Sequence, residues 1–284
     1  MRKTISIGKQ SFSSLREHDN FFVDKTNFIK EWWEKEDDIT LIARPRRFGK
    51  TLNMSMLECF FSNKYANRAD LFEGLSIWEE EKYRQLQGTY PVIFLSFASV
   101  KADNLMEAKI QIKQEIAVLY EENRYLLKKD ILSDNERRLY NRTTEQMDDT
   151  TAQKAIRNMA AWMYRYYGKN VIILLDEYDT PMQEAYLQGY WDEYTSFIRS
   201  LFNATFKTNS YLERAIMTGI TRVISADGPV RWAMESRTHG WRTCIQQSRR
   251  RRWRQWDFMP RRRTRNTKCM CLTGTVSVNM WKTV

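Results

Sequence analysis

Two short stretches of the 284-residue chain carry side chains that could act together on a phosphate ester. The first is Arg44-Pro45-Arg46-Arg47-Phe48-Gly49-Lys50-Thr51, which meets G-x-x-x-x-G-K-[ST] at every fixed position except the first, where Arg44 replaces glycine. In such a loop, backbone N–H groups and a helix N-terminus point at phosphate oxygens. A lysine ammonium offsets their charge, and a threonine hydroxyl joins the shell of a Mg²⁺ ion. Arg46, Arg47, Phe48, Gly49, Lys50, Thr51 and Leu52 are therefore the candidate phosphate-binding residues, with Lys50 on the phosphates and Thr51 on the metal. Arg44 precedes Pro45, which disfavours helical backbone at 44 and fixes φ at 45, so a stiff extended approach stands in for the glycine turn. Arg46 and Arg47 read either as further phosphate contacts or as solvated surface charge.

The second stretch is Asp176-Glu177, adjacent carboxylates that close the apolar run 171–175. At the C-terminal edge of a parallel sheet they would lie beside the phosphates, Asp176 holding the Mg²⁺ shell through water. Glu177 would polarise or orient the water that attacks the γ-phosphate. An acidic cap on an unrelated strand is the competing reading, and the neighbouring loop argues against it. A third position, Thr218 at the end of the run 214–219, is a candidate sensor of the γ-phosphate and equally reads as a plain strand-end hydroxyl, with Arg222 a weaker candidate.

These residues need strands that end together. The sequence predicts strands at 39–43, 90–96, 170–175 and 214–219, and helices at 52–61, 105–127, 152–167 and 190–206. A further helix begins near 26 with Asp24 as its N-cap and with Phe28, Ile29 and Trp32 on one face, after a loop-like start. The stripe Met159, Trp162, Met163, Tyr166 and Tyr167 reads as core. The order βαβαβ predicts an α/β fold: a three-layer P-loop NTPase with a parallel sheet, incomplete at its C-terminus. Residues 1–38 are expected to pack on a P-loop domain at 39–222, followed by a tail at 223–284.

Other chemistries lack their residues. His18 and His239 are too few and too isolated for a metal site or a nucleophile–base pair. Cys59, Cys244, Cys269 and Cys271 make no disulfide framework and no zinc-ligand spacing, so reduced thiols are expected. The longest aliphatic run, 171–175, falls far short of the ~20 residues a membrane span needs, and the first six residues hold no apolar leader. A cytoplasmic protein with no membrane partner is the expectation.

The net charge of +11 lies entirely in residues 223–284, which hold 14 Lys+Arg against 3 Asp+Glu and five of the ten tryptophans. Arginine runs at 249–252 and 261–263 with interspersed tryptophans could bind nucleic acid non-specifically, through phosphate neutralisation and base stacking. The other reading is translation out of frame. Residues 247–256 admit codons whose neighbouring frame reads V-P-E-E-E-V-A-A-M, and 270–278 under the same one-base shift admit Y-V-S-D-G-Y-R-F-G.

With Phe22-Val23-Asp24-Lys25-Thr26, the stretch 43–57 around Gly49-Lys50-Thr51, Leu175-Asp176-Glu177-Tyr178-Asp179-Thr180-Pro181 and Met217-Thr218-Gly219-Ile220-Thr221-Arg222, the chain resembles the bacterial AAA-ATPase-like family over about residues 5–222. The resemblance accounts for Arg44, which that family's loop carries in place of glycine. It implies an ATPase domain that takes ATP and Mg²⁺, often followed by a PD-(D/E)xK nuclease-like domain, and the sequence leaves the oligomeric state open, a homo-oligomer included. It also implies a Ser- and Glu-rich continuation with a D-G-Y-x-F-G-like element, the element the displaced frame offers. A chain without the remaining strand and helical lid would bind ATP weakly and turn it over near background. Sequencing the coding DNA beyond Arg222 checks the tail: the expected result is an open, Glu-rich frame displaced by one base, and stop codons across that frame exclude it.

Overall fold

The computed structural model describes residues 3–6 and 8–220. Four short aliphatic runs become strands β1 (Ile39–Ala43), β2 (Val92–Ser96), β3 (Val171–Asp176) and β4 (Leu212–Gly219), joined in one all-parallel sheet of order β1-β4-β3-β2. Such near-continuous Val/Ile/Leu composition suits strands covered on both faces, and every residue of β3 is buried.

Alternation along each strand sends side chains to two cores. Ile173 and Leu175 join Ile93, Leu95, Ala215 and Met217 on one face, while Ile172 and Leu174 join Val92 and Ile216 on the other. The second face is covered by α1 (Phe12–Glu17), α2 (Asn27–Lys35), α3 (Lys50–Phe61) and α4 (Glu81–Leu86), through residues such as Phe12, Ile29, Trp32, Met54, Leu57 and Tyr83. The first is covered by α5 (Leu105–Glu122), α6 (Asp134–Arg142), α7 (Asp149–Tyr167), α8 (Thr180–Gln188) and α9 (Trp191–Phe202). Three layers result, as the sequence predicts for an α/β P-loop NTPase. Met159, Trp162 and Met163 lie in the core, and Tyr166 and Tyr167 pack against it.

The register aligns the strand ends. Ala43 pairs with Gly219 and Ser96 with Asp176, so all four strands finish along one rim, where ligands bind in open α/β sheets. β4 lies between the strand that leads into Gly49-Lys50-Thr51 and the strand that ends in Asp176.

Several element limits differ from the sequence reading, each for a local reason. The predicted helix 105–127 stops at Glu122, because Asn123 turns its side chain back onto Leu119 O at 2.7 Å and caps the helix. The predicted helix 190–206 ends at Phe202 and continues as a wide turn, Asn203–Lys207, with Thr208 N bonded to Asn203 O at 3.1 Å. Strand 90–96 begins only at Val92, since Pro91 has no N–H for the ladder, although its carbonyl accepts from Ile172 N at 3.0 Å. Asp24 is not an N-cap: Thr26 stands at that position in helical geometry, and Asp24 instead accepts from Thr26 N at 2.9 Å and from Ser76 N at 2.7 Å, stapling the N-terminal segment to a distant loop.

α6 was absent from the sequence reading, although Ser133-x-x-Glu136 is a capping box that marks its start. Glu136 also receives Trp162 Nε1 at 3.3 Å and both terminal nitrogens of Arg165, at 2.7 and 2.9 Å. The Arg165 guanidinium, with smaller contributions from Ser133 and Trp162, holds the Glu136 carboxyl down at about 2 against burial. The folded value lies below the ordinary 4.5, so this stabilisation is complete above that pH and disappears as pH falls through about 2. Glu136→Gln is expected to cost about 1–2 kcal/mol at neutral pH. Its deficit against the wild type in thermal unfolding should shrink steadily as the acid limb is approached.

Candidate functional site

The chain leaves β1 still tied to its neighbour: Arg44 N donates to Gly219 O at 3.0 Å. Residues 45–48 then run exposed, with Phe48 at 42%. Two left-handed residues, Arg47 at φ 67° and Gly49 at φ 75°, wrap the loop into α3. Glycine adopts that conformation freely, whereas arginine does so at some cost. Gly49 is the N-cap of α3 and no side chain caps it, so the first-turn N–H groups of Lys50, Thr51 and Leu52 carry no side-chain cap. Lys50 is buried, and its Nζ donates to Arg44 O at 2.9 Å and Pro45 O at 3.1 Å, which holds the ammonium over the mouth of the loop. Arg46, Arg47 and Phe48 line the exposed side, and Thr51 and Leu52 are half-buried in the first turn.

Asp176 ends β3 two residues beyond Leu174, whose side chain packs with those of α3, so strand alternation places Asp176 on the α3 side. Its Oδ1 accepts from the Thr218 hydroxyl and from Glu177 N, the latter at 3.1 Å. Its Oδ2 is buried and meets no donor among the described residues. A buried carboxylate oxygen without a protein donor is the kind of acceptor that the water shell of a hard cation satisfies, so the residues present fit Mg²⁺. Among the described residues no three His, Cys, Asp or Glu side chains converge as a ligand cage. A Mg²⁺ site of the phosphate-loop kind needs none, since substrate phosphates and water supply most of the shell.

Glu177 turns the chain abruptly off the strand with φ 50°, an uncommon left-handed value for a non-glycine residue. The turn is held because Glu177 N donates to both Asp176 Oδ1 and Thr218 Oγ1, and Tyr178 N donates to Thr218 O at 3.0 Å. The Glu177 carboxylate accepts from Thr180 Oγ1 at 3.1 Å, at the start of α8. Thr218, of the two readings the sequence leaves open, stands in the interior: 1% exposed, it gives its one proton to Asp176 and receives the amide of Glu177. Arg222 and the tail lie outside the described residues.

Asp179 was missed. It directly precedes the helix start Thr180-Pro181 and so reads from sequence as an ordinary N-cap, yet its side chain makes no capping bond. It is fully buried, with Oδ2 accepting from Ile220 N at 2.9 Å and Gln183 Nε2 at 3.0 Å. A groove lined by Met106, Ile110 and Met147 runs along α5 in the other helical layer and holds none of these groups. Cys59 is buried among α3 contacts, which pushes its thiol up to about 12 and leaves it inert at neutral pH.

The family model described as Predicted AAA-ATPase matches residues 6–227. An uncharacterized protein encoded in the vnfD 5′ region of Azotobacter chroococcum mcd 1 is 26% identical over 225 residues, 78% of this chain, and the chain spans 38% of that protein's length. No solved structure matches. The positive φ at Glu177 has a measurable consequence. Glu177→Gly and Glu177→Ala both remove the carboxylate, but only glycine suits the backbone, so the glycine variant is expected to unfold at the higher temperature, by about 1 kcal/mol in stability. Thermal melts followed by circular dichroism provide the comparison.

Proposed function

We propose, for a chain that belongs to the AAA-ATPase-like family of predicted AAA-ATPases, that this rim binds ATP together with Mg²⁺ and hydrolyses it weakly. The observation that carries the reading is the run of bonds across the strand ends: Lys50 to Arg44 O, Arg44 N to Gly219 O, and Thr218 to Asp176. Through it the phosphate-binding loop and the acidic turn share one edge of one sheet.

In this reading Lys50 leaves its loop carbonyls for the β- and γ-phosphate oxygens, and the N–H groups of Phe48, Gly49, Lys50, Thr51 and Leu52 cradle them. Arg46 and Arg47 reach the outer phosphate oxygens. Thr51 and Asp176 hold the metal, Asp176 through the oxygen that has no protein donor. Mg²⁺, when bound there, would offset the phosphate charge that develops during transfer. Glu177 orients the attacking water, for which its carboxylate must exchange the Thr180 hydroxyl for that water. That competing bond, with no lid among the described residues to exclude solvent, supports turnover close to background.

The ATPase domain in this account is 39–222, with 1–38 packed on it, and residues 223–284 are out-of-frame sequence that adds no catalytic group. The family match, which spans 6–227, supports a loss of family likeness within a few residues of 222. Titration of a fluorescent N-methylanthraniloyl ATP tests the assignment. Lys50→Ala should weaken affinity by about tenfold or more, since it removes a charge-assisted contact. Asp176→Asn should leave binding in chelator unchanged while raising the Mg²⁺ concentration needed for the tighter complex. Glu177→Gln should bind normally and lose residual phosphate release. Equal affinity of wild type and Lys50→Ala would exclude this site.

A further inference from the structure

A carboxylate with no exposed surface is costly unless its partners are worth the desolvation, and packing alone would be better served there by an apolar residue. Asp179 is such a group. Its Oδ2 takes the N–H of Ile220, the first residue past β4, and the amide of Gln183 in α8, so it ties the strand's exit to the helix that follows the acidic turn. The approach is close because residue 219 is glycine. A Cβ there would stand 2.6 Å from Asp179 Oδ1 and 2.7 Å from Tyr178 Cε1.

Three consecutive residues at the end of β4 thus each hold a different part of the rim. The Thr218 side chain holds Asp176 and the Glu177 amide, Gly219 O holds Arg44 at the start of the phosphate-binding loop, and Ile220 N is held by Asp179. Resting on the nucleotide reading of the rim, we propose that Asp179 is a positioning residue: it clamps the exit of β4 and thereby sets the phosphate-binding loop and the acidic pair in one fixed relation for Mg²⁺-nucleotide. The clamp requires an acceptor at Ile220 N and shape at Gly219, not negative charge as such. An asparagine can keep it, its one amide oxygen standing where Asp179 Oδ2 accepts from both Ile220 N and Gln183 Nε2.

Hydrogen–deuterium exchange on the full chain without nucleotide, paired with N-methylanthraniloyl ATP titration in Mg²⁺, tests this. In Asp179→Ala, peptides covering 41–48 and 175–180 should exchange about tenfold faster while those of α7 are unchanged. Nucleotide affinity should fall by about tenfold. Asp179→Asn should restore both. Gly219→Ala, which crowds the same junction with Asp179 in place, should reproduce the alanine phenotype and supplies the test if Asp179→Ala does not fold. Wild-type exchange in a folded Asp179→Ala, or an Asp179→Asn as impaired as the alanine variant, overturns the proposal. Exchange decides the clamp even if the wild-type chain binds no nucleotide, so the failure of the nucleotide reading and the failure of the clamp are separate results.

Discussion

β4 is hydrogen-bonded on both sides, to β1 through the pairs from Ile39–Ala215 to Ala43–Gly219 and to β3 through those ending at Leu175–Met217. Every candidate group on the rim is held with respect to this one strand. The loop that bears Lys50 hangs from β1, the carboxylates hang from β3, and neither strand touches the other within the sheet. Their relative position is therefore the position of each against β4, fixed by ladder pairs that run in regular register from Ile172–Arg214 to Leu175–Met217, after one shift between Val171 and Ile172 at the far end of the strands; a one-residue shift nearer the rim would turn core side chains to the wrong face.

That dependence explains the concentration of polar atoms at one end of an otherwise aliphatic strand. Inward from Thr218, Met217, Ile216 and Ala215 are buried apolar residues serving the two cores. At Thr218 the chain changes character, because a hydroxyl can give one bond and receive another where a valine of similar volume could do neither. The fully buried Asp179 and the side-chain-free Gly219 complete a compact knot in which backbone and side-chain groups satisfy one another at the sheet margin.

Much of this was legible in the residues themselves. Gly49-Lys50-Thr51 after a short aliphatic run, and Asp176-Glu177 after another, are patterns whose chemistry and strand–loop–helix setting follow from charge, hydroxyl placement and periodicity. The strands were legible because parallel, doubly covered strands are nearly uninterrupted runs of Ile, Val and Leu, and the long helices because their apolar spacing is regular. What stayed hidden depends on contacts between distant segments. Asp24 looks like a helix cap until Ser76 is seen to occupy it, and Asp179 looks like another until Ile220 does. Thr218 carried two readings because a strand-end hydroxyl has the same sequence signature whichever way its proton points. The short helices α1 and α8 give too few turns for a period to emerge.

The strand order also governs when the rim can exist. The central strand of the junction is the last of the four to be synthesised, so β1 and the loop behind it wait, without a sheet neighbour, until nearly the whole domain has left the ribosome. Closing contacts between such remote segments is entropically slow, and an apolar strand that waits unpaired is exposed to the wrong partners in the meantime. The rim is thus the last region of the sheet to mature during biosynthesis, and a nascent chain halted before residue 212 would contain Lys50, Asp176 and Glu177 yet have nothing to bring them together.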